Sequence, residues 1–248
     1  MARVLVFQHV AAEPLGTLDP MLRERGHRIR YVNFQRDPAA RPDVSGYNAL
    51  IVLGGPQMPD EDHKYPHLNV EMRCIEQALK HDIPVMGICL GAQLLASTLG
   101  GLVRPMDSWE IGWYEIKPTA HAATDPLFCK LARPHPAFQW HGYTFDVPAD
   151  AVHLARSDTC ENQAFRYGNR AYGLQCHLEL DERLINRWLN YPEYQADLDT
   201  AGRGQDAAII REHTHQLIGQ SIGLSYEVFG EFLNTMGQPN LRHVLPSR

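Results

Sequence analysis

The chain has 248 residues, 44% of them hydrophobic and 21% charged, with a formal net charge of −6. That mix excludes a disordered, collagenous or coiled-coil protein, and the length suits one large domain or a domain with an appendage. The acidic balance gives no electrostatic reason to seek nucleic acid or an anionic membrane, and no apolar run reaches the roughly 18 residues of a membrane span.

The first hundred residues alternate between strand-like and helix-like segments. Residues 3–10 (RVLVFQHV) read as a strand rather than the apolar core of a signal peptide. Residues 16–26 read as a helix stopped by Gly26. Residues 28–34 alternate as a second strand, and the apolar run 49–53 (ALIVL) reads as a strand covered on both faces. Residues 67–81 place Val70, Cys74, Ile75, Ala78 and Leu79 on one helical face. Residues 84–89 (PVMGIC) are another buried strand, and residues 90–99 a helix closed by Gly100 and Gly101. This pitch defines βαβ units around a parallel sheet.

Beyond Gly101, residues 109–117, 152–156, 162–166 and 170–180 read as strands added antiparallel to the same sheet. Helical patterning returns at 181–190, 206–218 and 226–236, with a polar segment, 191–205, expected to be a mobile loop or insertion. The expected division is a domain over 1–190 and a C-terminal helical extension over 191–248. The five cysteines, 74, 89, 129, 160 and 176, are odd in number and widely spaced. That argues against a disulfide framework or a zinc ribbon and for a reducing, cytoplasmic setting.

The chemistry concentrates at Gly87-Ile88-Cys89-Leu90-Gly91, where a strand turns into a helix. This is the layout of a nucleophile elbow with cysteine in place of serine. The helix start favours a thiolate at Cys89 and offers unused backbone N–H groups to an oxyanion. A cysteine nucleophile needs a base and the base an orienting group. On a strand, His177 and Glu179 would project to the same side, which fits that pair. Gly54-Gly55-Pro56 follows a buried strand, and Gly55, unlike Pro56, has an N–H to bring to a ligand.

These three motifs, with Ala92 and Gln93 after the elbow, resemble the class I glutamine amidotransferase domain over roughly residues 3–190. The resemblance implies a three-layer α/β/α, flavodoxin-like fold around a mixed, mostly parallel sheet, and release of ammonia from the glutamine side-chain amide through a γ-glutamyl thioester. It assigns Cys89 as nucleophile, His177 as general acid and base, Glu179 as its orienter, and the amides of Gly55 and Leu90 as the oxyanion hole. Gln93 would lie beside the bound glutamine. Residues 139–143 (QWHGY) are similar to the stretch lining the glutamine pocket in the glutaminase part of GMP synthetase, which makes Gly142 and Tyr143 expected substrate contacts.

Two positions depart from the family pattern: Leu178 stands where Pro is usual between His and Glu, and Tyr143 where Asp often follows His-Gly. About 70 residues follow the triad, and no phosphate-binding Gly-x-x-x-x-Gly-Lys-Ser/Thr loop is present. The chain is expected to be a free-standing hydrolase or one subunit of a two-chain enzyme with a synthetase partner. Three readings stay open: glutamine hydrolysis, hydrolysis of larger γ-glutamyl amides, and a non-enzymatic or conditionally active module, such as an amidotransferase subunit, idle until a synthetase partner orders the oxyanion loop near Gly54. No metal or cofactor is assigned: His213 and His215 diverge on a helix, and residues 60–63 (DEDH) read as a solvated loop.

Overall fold

The computed structural model describes residues 1–201 and 206–236. Strand β1 (Arg3–Gln8) sends Val4 and Val6 into one apolar cluster and Leu5 and Phe7 into another. A strand buried on both faces needs a helix layer on each, and its sequence is therefore unbroken in hydrophobicity. The next elements are α1 (Leu18–Glu24), β2 (Arg28–Asn33), β3 (Ala49–Val52), α2 (His67–Lys80), β4 (Val85–Ile88) and α3 (Leu90–Thr98). Then come β5 (Val103–Pro118), β6 (His135–Phe145), β7 (Ala151–Arg156), β8 (Ala164–Tyr167), β9 (Ala171–Leu174), α4 (Glu182–Trp188), α5 (Pro192–Ala201) and α6 (Ala207–Asn234).

The strands form one mixed sheet in the order β2-β1-β3-β4-β9-β8-β7-β5-β6. The half from β2 to β9 is parallel, and β8, β7, β5 and β6 extend it antiparallel, as expected for the strands after Gly101; β9 departs from that expectation, because it pairs parallel with β4 and only its β8 edge is antiparallel. Helices α2 and α3 cover one face through Leu68, Ile75, Ala78, Leu94 and Leu95. On the other face, α1 and α6 share a cluster in which Leu18 and Leu22 meet Val228, Phe229 and Phe232. The fold is thus a three-layer α/β/α sandwich. Among the described residues no helix is long and apolar enough to cross a membrane.

Four segments differ from the sequence reading. Strand β6 was not expected: Pro136 and Gly142 interrupt its pattern, but it lies at the sheet edge, where a missing N–H is tolerated. Strand β9 ends at Leu174, so His177 and Glu179 sit on irregular chain beyond it, tied in by an isolated bridge between His177 and Phe138. The segment expected as a loop over 191–205 contains α5; residues 202–205 lie outside the described residues. Pro192 suits a first helical position, and Tyr194 and Leu198, four apart, are buried on one face.

Finally, the two helices expected at 206–218 and 226–236 are one, α6. Gly219 and Gly223 each cost such a helix about 1 kcal/mol, but no proline breaks it. Ser225 between the apolar contacts is buried and bonds its hydroxyl to that of Thr17 (2.7 Å).

Candidate active site

Strands β1, β3, β4 and β9 end on one edge of the sheet. The order reverses at β1, whose neighbours β2 and β3 lie on opposite sides. Ligands of open α/β sheets bind in the crevice beyond such a reversal.

Cys89 is the hinge between β4 and α3. Its backbone is at φ 51°, ψ −108°, a conformation that L-residues rarely adopt, while its N–H still continues the ladder to the Leu174 carbonyl (2.7 Å). The flanking glycines serve close approach. A Cβ on Gly87 would stand 2.4 Å from the Gly91 carbonyl oxygen, and one on Gly91 would stand 2.0 Å from that of Val52. The turn thus presses α3 onto the sheet, and the sulfur reaches a cavity also lined by Gly55, Gln93, Gly142, Tyr143 and His177. Leu90, the first residue of α3, is buried.

His177 is fully buried, and its ring lies within hydrogen-bonding and Coulombic reach of the Cys89 sulfur. On the far side Nδ1 meets Oε1 of Glu179 at 2.7 Å, although the two residues do not belong to a regular strand. Burial alone would depress the imidazole pKa, but the Glu179 carboxylate and the sulfur hold it well above the ordinary value. The Trp188 ring stands edge-on to it, with centroids 5.0 Å apart and planes at 87°. Beside it, Cys176 is sealed in apolar packing and its thiol is pushed up by burial.

Gly54 and Gly55 follow β3. A Cβ on Gly55 would stand 2.6 Å from the Cβ of His9, so a side chain there would overlap the His9 stem, and one on Gly54 would stand 2.1 Å from Oε2 of Glu13 and displace that carboxyl. Glu13 is a buried acid in the cavity wall. It accepts from the Tyr194 hydroxyl (2.6 Å), and burial pushes its carboxyl above the ordinary range against the pull of His177.

The opposite wall is the end of β6. Gln93 donates to the Tyr143 carbonyl (3.3 Å) and to Gln175 (3.1 Å), whose amide in turn approaches the Cys89 sulfur at 3.6 Å. His141 bonds the Tyr143 carbonyl (2.9 Å) and Glu110 (2.9 Å), which anchors the turn. Glu110, His141 and Cys160 bring potential ligand atoms within 4.8 Å of one another. Glu110 already accepts from His141, Ser157, Thr159 and Gln163, so the trio reads as an anchor of residues 141–143 rather than an ion cage.

The cavity also has walls that motif reading missed. Tyr194 and Asp197 reach it from α5, and Trp140, Trp188 and Tyr194 pack in an aromatic cluster. Asp197 accepts from the Trp140 indole (3.0 Å), and burial raises its carboxyl pKa. Only the four-residue spacing of Tyr194 and Leu198 signalled this helix, and only contact with the cavity gives it a role. Pro56, Gln57, Tyr194 and Asp197 also line an adjoining, larger cavity of about 600 Å³.

Fold and site together place a cysteine, a histidine and a glutamate on the crevice of an α/β sheet, and comparison with known proteins gives the family. The model of the class I glutamine amidotransferase family matches residues 16–187. The chain belongs to that family. The glutamine amidotransferase-like protein YfeJ of Salmonella typhimurium is 31% identical over 196 residues, 78% of this chain and 82% of that one. The glutamine-hydrolysing GMP synthase of Vibrio campbellii is 30% identical over 142 residues, which span 56% of this chain but 26% of that protein. Among solved structures, a glutamine amidotransferase from Methylobacillus flagellatus superposes with a TM-score of 0.88 at 26% identity, covering 98% of both chains. One from Thermotoga maritima superposes with 0.82 at 32% identity, covering 95% of this chain and 97% of that one.

Proposed function

We propose that the protein hydrolyses the side-chain amide of glutamine, with Cys89 as nucleophile, His177 as general acid and base and Glu179 as its orienter. The observation that carries this reading is the meeting of the Cys89 sulfur and the His177 imidazole at one cavity, with Glu179 bonded behind the ring. The thiolate attacks the amide carbon, and the resulting oxyanion is held by the N–H groups of Gly55 and Leu90. His177 gives its proton to the departing nitrogen as the C–N bond breaks, leaving a γ-glutamyl thioester. Water attacks the thioester carbon while His177 takes its proton; glutamate leaves and the thiolate returns. Gln93, Gly142 and Tyr143 are the proposed substrate contacts. The ammonia goes to solvent or to a synthetase subunit, in a cytoplasm that keeps the five free cysteines reduced.

A second reading has its own support. The cavity beside Cys89 is narrow, about 70 Å³, whereas the adjoining one is about 600 Å³ and carries Phe34, Tyr65 and Tyr191 in its walls. An amine much larger than ammonia fits there, so γ-glutamyl amides are the alternative substrates. The test is hydrolysis by purified protein of glutamine and of a panel of γ-glutamyl amides, with Cys89→Ala as the blank. Ammonia from glutamine supports the first reading, and cleavage of the larger amides alone supports the second. Turnover that persists in Cys89→Ala refutes both.

A further inference from the structure

His9, directly after β1, is fully buried, and its imidazole stands between two acceptors. Nδ1 is 2.8 Å from the Gly54 carbonyl oxygen, and Nε2 is 3.0 Å from Oε2 of Glu71. A carbonyl oxygen can only accept. Glu71 is itself fully buried, and its other oxygen is 2.9 Å from Nδ1 of His67. Burial would favour a neutral acid at Glu71, but the two histidines outweigh it and hold its pKa below the ordinary range. Both nitrogens of His9 therefore carry protons, and the ring is an imidazolium between a carboxylate and a peptide carbonyl.

A buried ion pair is poor evidence of stability, because desolvation offsets the attraction, so the question is what this one holds in place. It holds the Gly54–Gly55 peptide. In a trans peptide the C=O and N–H point in opposite directions. With the Gly54 oxygen fixed on the His9 side, the Gly55 N–H faces away from His9, and Gly55 lines the cavity of Cys89. A Gly-Gly pair offers the least resistance to rotation of the peptide between its two residues, and such a rotation would turn a carbonyl toward the developing oxyanion.

We infer that His9, charged by Glu71 and steadied by His67, is a positioning residue that aims the Gly55 N–H at the oxyanion. The inference rests on the proposed role of Gly55. The hydrogen bond to the Gly54 oxygen also polarises that peptide and makes its N–H a stronger donor. The other groups facing His9 are the Glu13 carboxylate, the His67 ring at 6.1 Å and the Phe34 ring at 6.4 Å between centroids.

The test is Glu71→Gln, which keeps the shape and removes the charge. The expected result is a kcat lower by about 10- to 100-fold, short of the 10²–10³ that follows outright loss of an oxyanion donor. KM stays within about twofold and alkylation of Cys89 by iodoacetamide is unchanged, because displacement at carbon forms no oxyanion. An unchanged kcat, or loss of kcat and alkylation together, overturns the inference. His67→Gln, which leaves the His9–Glu71 pair intact, should fall between wild type and Glu71→Gln. Imidazole ¹⁵N and Gly55 amide spectra apply whether or not any amide is turned over. A doubly protonated His9 at neutral pH in the wild type, and a displaced Gly55 amide resonance in Glu71→Gln, support the inference. A neutral His9 or an unmoved Gly55 overturns it. If the wild type hydrolyses no amide, the functional reading fails by itself, and these spectra still decide the positioning.

Discussion

Gly16 and Glu179 are in backbone contact. A Cβ on Gly16, whose φ is +53°, would stand 1.8 Å from the Glu179 carbonyl oxygen, and the adjacent Thr17 N–H donates to that same oxygen (2.8 Å). The turn before α1 therefore holds the irregular segment that carries the His177 partner. Gly16→Ala should cost about 1–3 kcal/mol through φ alone and more through overlap with Glu179. Urea unfolding should show the loss, and turnover of the folded fraction should fall because Glu179 shifts behind His177.

The histidine–glutamate pair has a testable pH signature. The His177 pKa is raised by Glu179 and Cys89 in spite of burial, so its stabilising contribution is complete below about 6.5 and is lost as pH rises through the folded-state value. His177→Ala should lower kcat/KM by about 10²–10⁴-fold. Glu179→Gln should lower it less, and should move the alkaline limb of the pH–rate profile to lower pH, because the carboxylate that keeps the imidazole protonated is gone. An alkaline limb that stays in place would contradict this role for Glu179.

The backbone of Cys89 stores strain. Cys89→Ala should fold and lose turnover while keeping that strain. Cys89→Gly should be more stable than Cys89→Ala. Release of a φ of 51° is worth about 1–3 kcal/mol, offset in part by the ~0.5–1 kcal/mol of extra chain entropy that glycine loses on folding. Comparison of the two variants by chemical denaturation checks this; equal stabilities would mean that the elbow is relaxed.

Tyr194→Phe removes a donor from the buried Glu13. Burial raises the Glu13 pKa and the Tyr194 hydroxyl opposes that rise, so the variant should raise it further. A carboxyl raised on folding destabilises increasingly as pH climbs from about 4.5 through its folded-state value. The substitution should therefore cost about 1–3 kcal/mol at pH 8 and less near pH 5. Unfolding curves at the two pH values measure the difference.

The Gly-x-Cys-x-Gly corner, the Gly-Gly-Pro turn and the His-x-Glu pair were legible in the chain because each is a local pattern. Glycine reports close backbone approach, and the apolar runs before Gly54 and Cys89 report strands covered on both faces. The parallel order of β1 to β4 follows from the same periodicity, whereas the parallel pairing of β9 with β4 does not. Helix α5 carried a weaker signal, two apolar residues in a polar stretch, and the continuity of α6 was hidden by two glycines that packing tolerates. Other features have no local signature. Tyr194 meets Glu13 across 181 residues, His9 meets Glu71 across 62, and Thr17 meets Ser225 across 208. A histidine becomes a buried cation, or a glutamate a buried acid, only when the chain closes around it and removes water. Local sequence therefore determined the elements and the reactive residue types, and tertiary structure decided their charge states and which of them face one another.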